Sequence, residues 1–99
     1  MSAEATQVLF SLAEELDREG HPLQACKCYE AICQSYTTPT NETRARLRLA
    51  QNLLRHTHCV FEAKNHLERA HFLVKGRMSI PVAERIQESN LIIMKNAYT

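Results

Sequence analysis

Cysteine and histidine side chains are the residues of this chain most able to do chemistry. Cys26, Cys28 and Cys33 lie close together in a stretch that has the apolar spacing of a helix. On a helix, residues two positions apart point about 200° away from each other, so Cys26 and Cys28 cannot bind one metal ion together. Cys26 and Cys33 also fall where the pattern calls for an apolar residue. We therefore interpret these thiols as buried or half-buried small hydrophobes.

A second group follows about twenty residues later. His56, His58 and Cys59 lie at a predicted turn, and His66 and His71 come after it. Their spacing matches no closed zinc-ligand set, although a cysteine/histidine metal-binding protein stays open as an alternative function. A Cys–His catalytic pair would also need an orienting group and an oxyanion hole, which nothing in the sequence marks. We predict no enzyme activity, no metal and no cofactor.

The size and net charge of the chain indicate its broad class of protein. The chain has 99 residues, enough for one small domain, and a formal net charge of +1 that gives no general attraction to nucleic acid or anionic lipid. No apolar run approaches a transmembrane span, and the MSAEATQ start lacks the basic and apolar regions of a signal peptide. We expect an intracellular protein whose four cysteines are reduced thiols.

An internal repeat of 38 residues organises the chain. Apolar residues recur at helical spacing in both copies, and each copy reads as two helices folded back on each other. The matched positions are Leu9, Leu12, Leu16, Ala25, Tyr29 and Ile32 in the first copy, and Leu47, Ala50, Leu54, Ala63, Leu67 and Ala70 in the second. A helix–turn–helix period of this length predicts an all-α fold of TPR-like helical-hairpin repeats, an α-solenoid of about five helices.

The pattern gives explicit element and domain boundaries. Helices are predicted over 3–19, 22–36, 42–57, 59–75 and 82–96. The domain prediction is two TPR-like hairpins over 1–76, divided into 1–38 and 39–76, with a divergent terminal helix, cap or truncated repeat over 77–99. Gly20 and Pro22 separate the first two helices, and Thr40 or Asn41 caps the third after a loop whose proline blocks helix continuation. The acidic end of the first helix opposes its dipole, which indicates a neighbour that supplies positive charge.

Three strings follow one another along the chain: EAICQS (30–35), TRARLRL (43–49) and AKNHLERA (63–70). With these strings in this order, the chain resembles the cohesin-loading factor family, the TPR-type subunits of the cohesin loader. The resemblance spans about Leu9 to Lys75, whereas the tail after Gly76 departs from the family.

This resemblance implies a specific function and partner. Members of the family form a superhelix that holds an extended segment of the large HEAT-repeat loader subunit. The complex loads cohesin onto chromatin and supports sister-chromatid cohesion. The resemblance thus implies a nuclear, chromatin-associated interaction scaffold, with the cytoplasm as a second location, and with cohesin and chromatin as indirect partners. No membrane and no sequence-specific nucleic acid are expected as partners. The alternative is a generic TPR adaptor for another intracellular peptide.

In tetratricopeptide stacks the first helix of each hairpin lines the concave surface, which suggests a partner groove here. Its mixture of charged and apolar side chains suits an extended peptide. The predicted groove residues are Phe10, Glu14, Asp17, Arg48, Asn52, Arg55 and His56. The arginines at 44, 46 and 48 could instead contact DNA phosphates, although a solvated or acid-paired helix face is the expected arrangement.

Overall fold

In the computed structural model, which describes residues 1–75, the chain folds into four helices. They are α1 (Ala3–Arg18), α2 (Pro22–Gln34), α3 (Pro39–His56) and α4 (Val60–Val74). Each helix packs on the next one along the chain: α1 on α2, α2 on α3 and α3 on α4. This succession of helical hairpins confirms the predicted all-α, TPR-like fold class.

The domain division itself stays a prediction. Helices α1 and α2 fall within the predicted unit 1–38, and α3 and α4 fall within the unit 39–76. The predicted terminal helix over 82–96, and the whole segment 77–99, lie outside the described residues.

Local hydrogen bonds explain where α1 begins and ends. The Ser2 hydroxyl accepts a hydrogen bond from the amide of Ala5 at 3.1 Å and so caps the first turn. At the other end, Gly20 adopts a φ of 84°, and the amide of His21 donates to the carbonyl of Leu16 at 2.8 Å. This glycine-based C-cap reverses the chain, and Pro22 then occupies the first turn of α2.

The start of α3 differs from the sequence prediction. Thr38 is the capping residue, since its hydroxyl accepts a hydrogen bond from the amide of Asn41 at 3.2 Å. The prediction of a cap at Thr40 or Asn41 is therefore wrong. Pro39 does not block the helix; it begins it, because the first turn has no use for the amide hydrogen that proline lacks.

Small residues bring the helix backbones close together in the core. Tyr29, Phe10, Ile32, Leu49 and Val74 are the largest fully buried side chains. Around them, six alanines are completely buried, at positions 13, 25, 45, 50, 63 and 70. Because alanine adds so little bulk, the larger side chains fill the space beside each close contact at the density expected of a protein interior.

Nearly all positions of the 38-residue repeat are buried or partly buried in the core. Of its twelve positions, seven are buried and four are partly buried leucines packed against the core, Leu16 and Leu54 among them. Leu12 is the exception, since 47% of its surface is exposed although its counterpart Ala50 is fully buried. The reason is positional: α3 lies between α2 and α4, whereas within residues 1–75 α1 packs substantially on α2 alone. In α1 the core positions are taken instead by Phe10 and Ala13.

Candidate partner-binding cleft

The predicted groove between α1 and α3 divides into two halves, and its first half is closed. Arg44 of α3 lies across this half, with its guanidinium carbon 4.2 Å from the centroid of the Phe10 ring. The same guanidinium pairs with the Glu14 carboxylate. Phe10 is consequently only 1% exposed, and its ring packs against that of Tyr29. Phe10 is thus buried in the described part of the chain, and its predicted role in partner binding stays a prediction.

The Arg44–Glu14 pair agrees with the charge pattern of the sequence. An acidic α1 needed a source of positive charge, and α3 supplies it. Both side chains are more than 40% exposed, so the pair stabilises the fold by about 0–1 kcal/mol at most. Its main consequence is that Glu14 is already occupied by an internal partner.

A polar network joins the two hairpins at the middle of the groove. The amide group of Asn52 in α3 donates a hydrogen bond to one carboxylate oxygen of Asp17 at 2.8 Å. The Tyr29 hydroxyl donates to the other oxygen at 3.1 Å. Tyr29 is fully buried and Asn52 is 7% exposed, so these donors would be costly to leave without acceptors. The Asp17 carboxylate of α1 therefore links this helix to both α2 and α3.

Two buried groups in this network have shifted pKa values. Burial raises the pKa of the Cys26 thiol to about 11, although a hydrogen bond with Asn52 opposes part of that shift. Burial, with the neighbouring Asp17 carboxylate, also raises the pKa of Tyr29 well above its usual value. Both groups therefore stay neutral at physiological pH, and neither supplies a nucleophile or an ionic contact.

The second half of the groove is an open cleft of about 340 Å³. Its wall is formed by one side of α3, and its floor and far edge come from the α1–α2 turn. The lining residues are Asp17, Gly20, Pro22, Arg48, Gln51, Asn52, Arg55 and His56. Five of the seven residues predicted for the groove thus lie around one cavity, while Phe10 and Glu14 lie outside it.

The sequence reasoning missed three lining residues: Gly20, Pro22 and Gln51. A signal existed for each of them. Gln51 follows Arg48 by three positions, which places it beside Arg48 on the same helix face. Gly20 and Pro22 are predicted only as the end of one helix and the start of the next, yet a turn at the end of α1 must lie near the residues that α1 contributes to the groove.

The charged side chains of α3 differ in how they are compensated. Arg46 donates to Glu42 at 2.8 Å and to the Nδ1 atom of His66 at 2.9 Å, and Arg69 of α4 approaches the same Glu42 at 3.6 Å. Because Nδ1 accepts this hydrogen bond, the His66 proton lies on Nε2, and burial together with Arg46 lowers the pKa of His66. Arg46 is therefore committed to the α3–α4 interface.

Arg48 and Arg55, by contrast, are exposed and take part in no ion pair within residues 1–75. The ion pairs of that region are Arg44–Glu14, Arg46–Glu42, Lys64–Glu68 and Arg69–Glu42. Of the arginines at 44, 46 and 48, only Arg48 is without an ion-pair partner among the described residues. A row of three phosphate contacts along this helix is therefore not available.

The cysteine and histidine groups show no convergence on a common point. Cys26 is buried, Cys28 and Cys33 are half-buried, and Cys59 is exposed. His56 and His58 are exposed on the α3–α4 turn, while His66 faces Arg46. Among residues 1–75 no set of three or more histidine, cysteine or acidic side chains is arranged to hold a metal ion. In the same part of the chain, no helix is long and apolar enough to cross a bilayer.

Comparison with known proteins shows a relative that matches nearly the whole chain. The sister chromatid cohesion protein SCC4 of Arabidopsis thaliana is 39% identical over 98 residues. The matched region covers 97% of this chain and 13% of SCC4, so the chain spans a small part of that protein's length. No protein-family model matches the sequence. No solved structure matches it either.

Proposed function

The chain belongs to the cohesin-loading factor family, the family of SCC4, and we propose that it acts as a non-enzymatic interaction scaffold in cohesin loading. In this role it would support the loading of cohesin onto chromatin and thereby sister-chromatid cohesion. The relative's name, a sister chromatid cohesion protein, supports this assignment, and so does the TPR-like stack of helices. Cohesin and chromatin would be indirect partners, reached through the loader complex.

The proposed direct partner is the large HEAT-repeat subunit of the cohesin loader, bound through an extended segment. The observation that carries this proposal is the open cleft between the α1–α2 turn and α3. Its wall combines guanidinium, amide and imidazole groups on a rigid helix, and such a surface can bind both the backbone and the side chains of an extended peptide. A rigid wall also limits the entropy lost on binding.

The polar groups near the cleft and at the α3–α4 interface form hydrogen bonds with one another within the fold, which supports a scaffold rather than a catalyst. Asp17, Tyr29 and Asn52 are held by one another across three helices, and His66 is held by Arg46. A general acid or base must be free to exchange a proton with a substrate, and these groups serve as structural donors and acceptors instead. The proposed location is the nucleus, on chromatin, with the cytoplasm as a second location.

Affinity capture from nuclear extract tests this proposal. The tagged chain is used as bait, and recovery of the large loader subunit is measured by immunoblot or mass spectrometry. A matched bait carries Arg48→Gln and Arg55→Gln, and a control bait carries Lys64→Gln and Arg69→Gln on α4, which removes the same amount of charge elsewhere.

We expect the wild-type and control baits to recover the large subunit and the Arg48/Arg55 variant to recover much less. If the wild-type bait recovers other proteins and never the large subunit, a generic TPR adaptor becomes the better description. If all three baits recover the large subunit equally, the partner is right but the cleft is not its binding site.

A further inference from the structure

Within residues 1–75, the open cleft has an excess of positive charge that the fold does not use. Among the described lining residues Asp17 is the only acidic side chain, and both of its carboxylate oxygens already accept hydrogen bonds, from Tyr29 and Asn52. Arg48 and Arg55 also line the cleft, exposed and without ion pairs among the described residues. Arginines that stabilise this fold, such as Arg44 and Arg46, have an internal carboxylate partner.

We propose that this cleft binds two acidic side chains of an extended peptide, with Arg48 pairing with one carboxylate and Arg55 with the other. This inference rests on the proposed function, since it names the chemistry of the segment that the scaffold would hold. The planar guanidinium group presents paired N–H donors that match a carboxylate, which makes arginine well suited to this recognition.

The spacing of the two arginines defines the spacing of their ligands. Arg48 and Arg55 are seven residues apart on α3, which places them on one face about 10 Å apart along the helix axis. An extended chain advances about 3.3 Å per residue, so two carboxylates three positions apart span the same distance. In a polyproline II conformation, which has three residues per turn, these two side chains also lie on the same side of the peptide.

The remaining lining residues suit a peptide better than a nucleic acid. Gln51 can donate to and accept from a peptide backbone, and Gly20 and Pro22 leave the opposite edge of the cleft free of long side chains. A nucleic acid would need more cations in a row, but Arg44 and Arg46 are committed to Glu14 and Glu42.

The test uses the purified chain with peptide probes that do not depend on the identity of the natural partner. One probe is a blocked glycine/serine peptide with two aspartates three positions apart, and its twin has asparagines at those positions. A third probe is a short DNA duplex. Affinity is measured by calorimetric titration for each protein. In the wild-type chain, the Arg48 and Arg55 side-chain Nε–H signals in ¹⁵N–¹H spectra locate the binding site, with the Arg69 signal as an internal reference.

We expect the aspartate peptide to shift the Arg48 and Arg55 signals saturably, and to bind at least about tenfold more tightly than the asparagine twin. The Arg48→Gln/Arg55→Gln variant should lose this difference, while the Lys64→Gln/Arg69→Gln control should keep it. Both arginines of the cleft are exposed, so the variant should keep its fold, which circular dichroism verifies.

Equal binding of the two peptides, or an undiminished preference in the cleft variant, would overturn the inference. Stronger shifts of the same signals by the DNA duplex would also overturn it, in favour of phosphate recognition. These results are independent of the capture experiment, because the large subunit could still bind this chain through contacts that are not acidic.

Discussion

The hydrogen bond between Asn52 and Asp17 gives the most direct structural prediction, because it links the two hairpins through a nearly buried donor. Replacing Asn52 with alanine removes the donor at 2.8 Å from the Asp17 carboxylate and leaves Tyr29 as that carboxylate's remaining side-chain donor. The exchange also creates a small void at a position that is only 7% exposed. We expect Asn52→Ala to destabilise the fold.

The size of the effect follows from the environment of the acceptor. A hydrogen bond to a charged group contributes about 1.5–3 kcal/mol. Asp17 is half-buried, so water can partly replace the lost donor, and the expected loss is in the lower half of that range, about 1.5–2 kcal/mol. For a domain of this size, such a change lowers the melting temperature by roughly 6–16 °C.

Urea denaturation followed by circular dichroism measures this difference. Asn65→Ala is the matched control, since Asn65 is exposed on α4 and the exchange brings the same gain in helix propensity. A double-mutant cycle with Asp17→Asn then isolates the coupling between the two positions. If Asn52→Ala unfolds within about 0.5 kcal/mol of the wild type, or no differently from the control, the network does not join the hairpins as described.

Three further predictions concern single positions. Burial and Arg46 lower the pKa of His66 in the folded state, so the unfolded chain takes up a proton first and the free energy of unfolding should fall as the pH drops below about 6.5. His66→Gln should flatten this pH dependence in urea titrations. An unchanged slope would contradict the lowered pKa of His66. Cys59 is exposed, whereas Cys26 is buried and its pKa is raised to about 11. A thiol reagent at pH 8 should therefore label Cys59 far faster than Cys26, and mass mapping that finds equal rates would refute the burial of Cys26. Thr38→Ala should lower the free energy of unfolding by about 0.5–2 kcal/mol because it removes the α3 cap, whereas Thr40→Ala should change it little. A larger loss for Thr40→Ala than for Thr38→Ala would place the cap at Thr40.

The repeat was readable from the sequence because its signal is dense and local. Apolar residues at helical spacing occur twice, 38 residues apart, and a helix with one apolar face must bury that face. The same logic could not place Leu12, since its exposure depends on which helices lie beside α1. The start of α3 was missed because Thr38 and Thr40 are both able to cap, and Pro39 is compatible with either a break or a first turn.

The open half of the groove was predictable for a related reason, and the closed half was not. Asp17, Arg48 and Asn52 face the same cleft, which helical spacing and the stacking of first helices were enough to indicate. The burial of Phe10 depends instead on Arg44, which crosses from α3 to cover the ring. Such a long side chain can reach several neighbours, and helical spacing alone does not decide between them.

Calorimetric titration of the purified chain with the extended segment of the large cohesin-loader subunit tests the central claim most directly. We predict saturable binding that weakens at least about tenfold in the Arg48→Gln/Arg55→Gln variant and is unchanged in the Lys64→Gln/Arg69→Gln control. Absence of binding by the wild-type chain, or equal affinities for all three proteins, would contradict the account of this cleft as the partner-binding site.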